Sequence, residues 1–240
     1  MPLFDEQLAE VRGVLAGWRE SGRAREFRAA GREPWPAGPS LVLEEDTALE
    51  LGNPAVASLS LVLWGEAGDV YDGRITLAGP DSSESAERSL PFAQVVIAGG
   101  SFPDEYGSYR DIRDAVYDTR LEGLSVRAMP SRQTMWCRLS RDAVSSGFSL
   151  VDLGAALVKA LSSVRDVSAA EVLFVTSSAA DVRRLAPAAA GAQRLIDAMM
   201  KMYQEENYDC ETCEYQDVCD TVMDLKKIRG RLVAEGKGTG

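Results

Sequence analysis

The residues with the clearest capacity for chemistry are three closely spaced cysteines. Cys210, Cys213 and Cys219 form the pattern C-x2-C-x5-C, and they are three of only four cysteines in the chain. Two cysteines three positions apart can place both sulfurs on one metal ion or on one edge of a cluster, and soft thiolates select iron–sulfur clusters, zinc or Cu(I). We therefore predict an iron–sulfur cluster at these residues, with a 4Fe–4S cluster favoured and zinc as the alternative.

The fourth metal position is open to Cys137, to a carboxylate or to an exogenous ligand. Cys137 lies in Thr134–Leu139, which is typical of a strand. Because strand neighbours alternate faces, Trp136 and Arg138 share one face while Cys137 points to the other. Cys137 is therefore either a fourth ligand or a small buried core residue, and the strand pattern favours the core residue.

The composition excludes several classes of function. The chain contains no histidine, which removes histidine-based catalytic triads and every histidine-ligated metal site. Its net charge of −11 argues against binding to nucleic acid or to an anionic membrane. We see neither a signal peptide nor an apolar run of about 20 residues, the length that a membrane helix needs. The sequence therefore predicts a cytoplasmic protein, in which clustered thiols favour metal binding over disulfides.

Hydrophobic spacing predicts the elements that surround these residues. The apolar residues of segment 3–20 recur at helical spacing and predict an amphipathic helix that packs on the body or on a partner. A Gly- and Pro-rich stretch, 31–39, follows as a linker or extended arm, and the polar residues Asp81 to Ser89 predict a solvated loop. Three short runs are typical of β-strands: Ser58–Trp64, Arg74–Ala78 and Phe92–Ala98.

The second half of the sequence predicts alternating strands and helices. A surface helix is expected over 104–117. The strand Thr134–Leu139 is followed by a helix that begins at a capping box of Ser149 and Asp152, and then by a strand at Glu171–Thr176. A last helical pattern, 179–203, contains Pro187, where we expect a bend. This order predicts a right-handed parallel βαβ unit.

The predicted fold is therefore α/β: a mixed sheet with βαβ units and flanking helices, followed by a Cys-rich C-terminal segment. Three parts are expected: an N-terminal helix and linker (1–40), an α/β domain (41–204), and a Cys-rich metal-binding segment with its tail (205–240). From Glu205 to Asp220 the sequence carries seven acidic residues, three cysteines and no basic residue.

Four stretches resemble the beta subunit of carbon monoxide dehydrogenase/acetyl-CoA synthase. The longest runs from Trp136 to Phe148 (WCRLSRDAVSSGF) and continues through the predicted βαβ unit. The others are Leu43–Pro54 with Asp72–Asp81, Leu90–Gly99, and Tyr208–Cys213, which carries the same C-x2-C spacing as the cluster ligands of the family. Together they span residues 43–219.

The resemblance implies an acetyl-CoA-synthase-like domain in which Cys210, Cys213 and Cys219 match the first cluster ligands. It also implies that Trp136 and Arg138 contribute to a coenzyme A site, since an indole can stack on adenine and a guanidinium pairs with phosphate. The implied partners are carbon monoxide dehydrogenase or a corrinoid protein. The Cys-Gly-Cys motif that holds nickel in the family is absent from the sequence, so we expect no dinuclear nickel site and no full synthase activity.

Three functions remain open from the sequence. In the first, the chain is an iron–sulfur-binding relative of acetyl-CoA synthase that acts as an accessory, redox or binding module in one-carbon, CO and acetyl-CoA metabolism. In the second, an iron–sulfur cluster or zinc ion is a structural staple on a ligand-binding or interaction domain without catalysis. In the third, the chain is a metal-free interaction module.

Overall fold

The computed structural model describes residues 3–39 and 41–204. Its strands and helices follow in chain order: α1 (Asp5–Glu20), β1 (Ala24–Arg28), β2 (Thr47–Leu51), β3 (Ser58–Glu66), β4 (Arg74–Ala78), β5 (Ser89–Leu90), β6 (Phe92–Gly100), α2 (Glu105–Tyr117), β7 (Leu124–Met129), β8 (Thr134–Ser140), α3 (Arg141–Ser145), α4 (Leu150–Leu161), β9 (Val167–Val175), α5 (Ala179–Arg183) and α6 (Ala186–Gln204). The predicted mixed α/β class is confirmed, and the described part divides into two mixed sheets with flanking helices.

The first sheet has five strands in the order β1-β4-β9-β6-β3 and forms the centre of the core. Strands β3 and β6 run parallel and in register from the Ser58–Phe92 pair to the Glu66–Gly100 pair. Strand β9 runs parallel to β4 and antiparallel to β6. Nearly every residue of β3, β6 and β9 is buried, as expected for strands whose two faces are both covered.

The second sheet has four strands in the order β5-β2-β8-β7. Its central strand β8 alternates strictly: Met135, Cys137 and Leu139 are buried, whereas Thr134, Trp136 and Arg138 are half-buried. This confirms that Trp136 and Arg138 share a face opposite Cys137. We call the face that carries Trp136 and Arg138 the outer face.

The two sheets are joined along β3, the edge strand of the first sheet. The Ser60 amide donates to the Gln133 carbonyl oxygen at 2.7 Å, and the Met135 amide donates to Ser58 Oγ at 2.8 Å. These bonds fix the start of β8 against the first sheet. They also provide partners for polar groups of β3 that the ladder with β6 leaves unpaired.

The prediction of a parallel βαβ unit over 134–176 is wrong, because its two strands do not lie in the same sheet. Both strands and the helix between them exist, but β8 lies in the second sheet and β9 in the first. Helix α4 packs against β9 and β4 of the first sheet. The chain therefore changes sheets at α4. The local sequence could not predict this change, because the sheet that a strand joins depends on the strands with which it pairs.

The N-terminal helix packs on the body of the domain, which is one of the two predicted alternatives; the other was packing on a partner. Its apolar stripe is buried, including Val11 and Trp18 at 0% exposure. Two acidic residues of other elements hold it in place. Arg12 bonds Glu171 of β9, and the Trp18 indole nitrogen donates to Asp181 of α5 at 3.3 Å. Strand β1 follows directly and pairs with β4.

The segment Asp81 to Ser89 differs from the solvated loop that its composition predicts. Asp81 and Ser82 are buried, and Asp81 Oδ1 accepts a hydrogen bond from the Leu150 amide at 2.8 Å. The loop therefore begins inside the protein, where Asp81 satisfies the first turn of α4. The bend expected near Pro187 is present as a break between α5 and α6.

Candidate functional site

The three clustered cysteines lie outside the described residues. Cys210, Cys213 and Cys219 follow α6, which ends at Gln204. Within residues 3–39 and 41–204, no group of three or more His, Cys, Asp or Glu side chains is arranged to hold a metal ion. The metal site at these cysteines stays a prediction.

Cys137 lies on the buried side of β8 with no exposed surface. Burial raises the pKa of its thiol to about 12. A metal ligand must be the thiolate, and an apolar environment disfavours that charged form. These surroundings suit a core residue, while the assignment of Cys137 as fourth ligand stays a prediction.

The outer face of the second sheet brings Trp136 and Arg138 together. The Arg138 guanidinium carbon lies 4.7 Å from the centre of the Trp136 ring, and that of Arg127, directly opposite on β7, lies 5.5 Å from it. Both distances are within the range of cation–π contacts. The indole nitrogen of Trp136 is buried and has no hydrogen-bond partner among the described residues.

The charge on this face is only partly compensated. Arg138 Nε donates to Glu50 Oε1 at 3.2 Å, and the other carboxylate oxygen of Glu50 accepts from Asn53 Nδ2 at 2.6 Å. Arg127 is exposed and forms no ion pair in the described part of the chain. Among the described residues, the face therefore combines one neutralised guanidinium, one uncompensated guanidinium and the half-buried Trp136 ring. That combination can bind an anionic or aromatic group.

Sequence reasoning found Trp136 and Arg138 but missed Glu50 and Arg127. Both missed residues lie directly opposite Arg138 or Trp136 on neighbouring strands. The signal for Arg127 was present as alternation in Leu124–Met129, a run of mainly apolar residues with a single charge. Its position beside Trp136 depends on strand pairing, which that run alone does not reveal.

The described residues form an α/β domain of two mixed sheets. Its second sheet carries a buried cysteine on β8 and, on its outer face, Trp136 in contact with Arg127 and Arg138. The chain belongs to the CO dehydrogenase/acetyl-CoA synthase complex beta subunit family, whose model matches residues 38–180. That range contains Trp136, Cys137 and Arg138 and ends before Cys210. The resemblance seen in the sequence is confirmed.

Curated relatives include two acetyl-CoA decarbonylase/synthase complex beta 2 subunits. The one from Methanosarcina thermophila is 25% identical over 182 residues, covering 72% of this chain and 38% of the relative. The one from Methanosarcina acetivorans is 24% identical over 181 residues, with the same coverage. The chain thus spans less than two fifths of the length of these relatives.

Over the described residues, no helix combines the length and the apolar character needed to cross a bilayer.

Proposed function

We propose that this chain is an iron–sulfur-binding member of its family that acts as an accessory, redox or binding module in CO and acetyl-CoA metabolism. The observation that carries this proposal is the order of two features. The family match over 38–180 is followed, 30 residues later, by the C-x2-C-x5-C motif. A family domain followed by clustered thiolates is best explained by a bound cluster.

Cys210, Cys213 and Cys219 would hold the cluster. Three thiolates occupy three irons of a 4Fe–4S cluster and leave the fourth for another ligand, and the bound cluster would supply one-electron transfer or an open iron. The cysteines need a reducing compartment to stay as thiols, which is why we place the protein in the cytoplasm. A dinuclear nickel site is not part of the proposal.

The proposed partners are carbon monoxide dehydrogenase or a corrinoid protein. This rests on the names of the relatives, which are subunits of an acetyl-CoA decarbonylase/synthase complex. The acidic balance of the chain, −11 overall, supports a protein partner over nucleic acid.

Metal analysis tests the cluster. Anaerobically purified protein is expected to be brown and to contain about four irons and four sulfides per chain. Cys210→Ala should abolish both contents. Cys137→Ala is the matched control, since it removes a thiol from the core and should leave the cluster in place if Cys137 is not a ligand. A colourless protein with one zinc would replace the cluster by a structural zinc site, and loss of iron in Cys137→Ala would make Cys137 the fourth ligand.

We also propose that the outer face binds coenzyme A. The diphosphate would pair with the guanidinium of Arg138 or Arg127, and the adenine would pack on the Trp136 ring when one of these guanidinium groups moves aside. Because Arg138 is already bonded to Glu50, Arg127 is the freer of the two cations.

Calorimetric titration with coenzyme A tests this site. Trp136→Ala and the double substitution Arg127→Gln with Arg138→Gln are each expected to weaken binding at least tenfold, the loss expected for a stacked ring or a charge-assisted hydrogen bond. Trp35→Phe, a change of indole outside this face, should leave binding unchanged. Unaltered affinity in the first two variants would place coenzyme A elsewhere, without affecting the cluster proposal.

A further inference from the structure

Strand β7 is the edge of the second sheet. It comprises six residues, Leu124–Met129, and in the described part of the chain its pairing partner is β8. Leu124 is buried, the five residues that follow it are half-buried or exposed, and Met129 is 52% exposed. An edge strand of this length presents unpaired backbone groups to its surroundings.

The pairing pattern identifies which groups are unpaired. The Ser140 amide donates to the Gly123 carbonyl, which makes Gly123–Ser140 a hydrogen-bonded pair. Hydrogen-bonded pairs alternate in an antiparallel ladder, so Ser125 and Arg127 direct their backbone groups toward β8. Val126 and Ala128 therefore direct theirs away from the sheet. No hydrogen bond within residues 3–39 and 41–204 reaches those groups.

The composition of β7 does not protect this edge. The exposed edge of the first sheet, β1, carries three charged residues among five: Arg25, Glu26 and Arg28. Charges of this kind discourage pairing with another chain. Strand β7 carries one charge among six residues, and it contains no proline and no bulge. Its sequence therefore suits pairing with a further strand.

The single charge specifies what the added strand should carry. A residue opposite Arg127 on an incoming antiparallel strand forms a non-hydrogen-bonded pair, in which side chains approach most closely. Since Glu50 already pairs with Arg138, the described residues offer Arg127 no carboxylate. An acidic residue at that place gains an ion pair beside the Trp136 ring. An antiparallel second copy of β7 centred on this position would instead place two Arg127 side chains opposite each other.

We propose that β7 is a strand-addition site for an extended acidic segment of a partner protein. The segment binds through the outward backbone groups of Val126 and Ala128, with a carboxylate opposite Arg127 and apolar side chains opposite Val126 and Ala128. This inference is independent of the cluster, because it uses no residue beyond 204.

The test uses the full chain and a blocked synthetic peptide, acetyl-Thr-Val-Glu-Val-Thr-amide. Amide resonances of Val126 and Ala128 are expected to shift on titration in ¹H–¹⁵N spectra. The peptide with lysine in place of glutamate should bind about three- to tenfold more weakly, the range expected when an opposite charge becomes a like charge across a strand pair. Arg127→Glu should reverse that preference.

Val126→Pro removes an outward-facing amide without removing a β7–β8 hydrogen bond, because proline is tolerated on the solvent side of an edge strand. It should abolish binding, while the matched control Val126→Ala should retain it. Unchanged spectra of the β8 amides establish that both variants fold. Equal binding of the two peptides, shifts confined to other residues, or binding retained in Val126→Pro would each overturn the proposal. Concentration-dependent dimerisation that is lost in Val126→Pro would also overturn it, because the edge would then pair with a second copy of the chain.

Discussion

The carboxylate of Asp81 closes the N-terminus of α4 across a separation of 69 residues, its Oδ1 accepting the Leu150 amide at 2.8 Å. The same oxygen accepts the Ser82 amide at 2.6 Å, and the other carboxylate oxygen accepts the Ser149 hydroxyl. Ser149 and Asp152 complete the capping box of the helix. Asp81 therefore links the loop after β4 to the helix that packs on β4 and β9.

Replacing Asp81 tests this link. Asp81→Ala leaves the Leu150 and Ser82 amides buried without their acceptor, which costs about 1–3 kcal/mol of the free energy of unfolding. Urea denaturation followed by circular dichroism measures the loss. Glu87→Ala, at an exposed position of the same loop, is the control and should change stability by less than about 0.5 kcal/mol. Equal effects of the two substitutions would mean that the loop does not support α4.

Elements with a strong local signal were predictable from the sequence. The capping box at Ser149 and Asp152 marks the start of α4 because its hydrogen bonds join residues three apart. Strands β1, β2, β5 and β7 were not predicted. In β1, for example, charged residues outnumber apolar ones, and the strand exists because it pairs with β4. Such strands owe their conformation to distant partners, which no local window contains.

The outer face was predictable only along one strand. Alternation places Trp136 and Arg138 together because neighbouring side chains on a strand point to opposite faces. Glu50 and Arg127 join them through the registers of β2 and β7 with β8, which bring together residues 88 and 9 positions apart, respectively. Within the described part of the chain, Glu50 pairs with Arg138 and no carboxylate pairs with Arg127.

The Cys137 thiol should be inert in the folded protein. Its burial and its raised pKa, about 12, leave little thiolate and no access for an alkylating agent. We expect no modification by iodoacetamide near pH 8 under native conditions and complete modification in urea, as measured by mass spectrometry of the Cys137 peptide. Met129→Cys provides an exposed thiol on the neighbouring strand, which should react in the native state. Rapid native labelling of Cys137 would contradict its placement in the core.

The contribution of Tyr117 to the free energy of unfolding should fall at alkaline pH. Burial raises the pKa of its hydroxyl to about 12 from the usual value of about 10, and the hydroxyl lies 2.8 Å from Ser60 Oγ. The folded state thus retains the proton more strongly than the unfolded state, so this contribution is complete below pH 10 and is lost as the pH rises toward 12.

The matched variant for this effect is Tyr117→Phe, which keeps the ring. At neutral pH it should be less stable than the wild type by about 0.5–1.5 kcal/mol, the worth of one hydrogen bond. The difference in unfolding free energy between the two proteins should shrink between pH 10 and pH 12. A difference that stays constant over this range would show that Tyr117 ionises equally in both states.

A buried ion pair joins Arg74 of β4 to Glu171 of β9 in the first sheet. Glu171 of β9 accepts hydrogen bonds from Arg74 Nε at 3.0 Å and Nη2 at 2.6 Å, and its other oxygen accepts from Arg12 of α1. Glu171 and Arg74 are both buried. Glu171→Gln therefore leaves the Arg74 charge with one remaining carboxylate among the described residues, the exposed Glu26 at 3.8 Å. Removing one partner of such a pair costs about 3–5 kcal/mol.

Thermal and urea unfolding of Glu171→Gln measure that loss. The cost should exceed that of Glu66→Gln, since Glu66 is an exposed carboxylate at the end of β3. Because Arg12 carries the contact to α1, the variant should also increase proteolysis within residues 5–20 under native conditions. A loss below about 1 kcal/mol with unchanged proteolysis would mean that solvent and Glu26 compensate the arginines and that α1 is held without the Arg12–Glu171 contact.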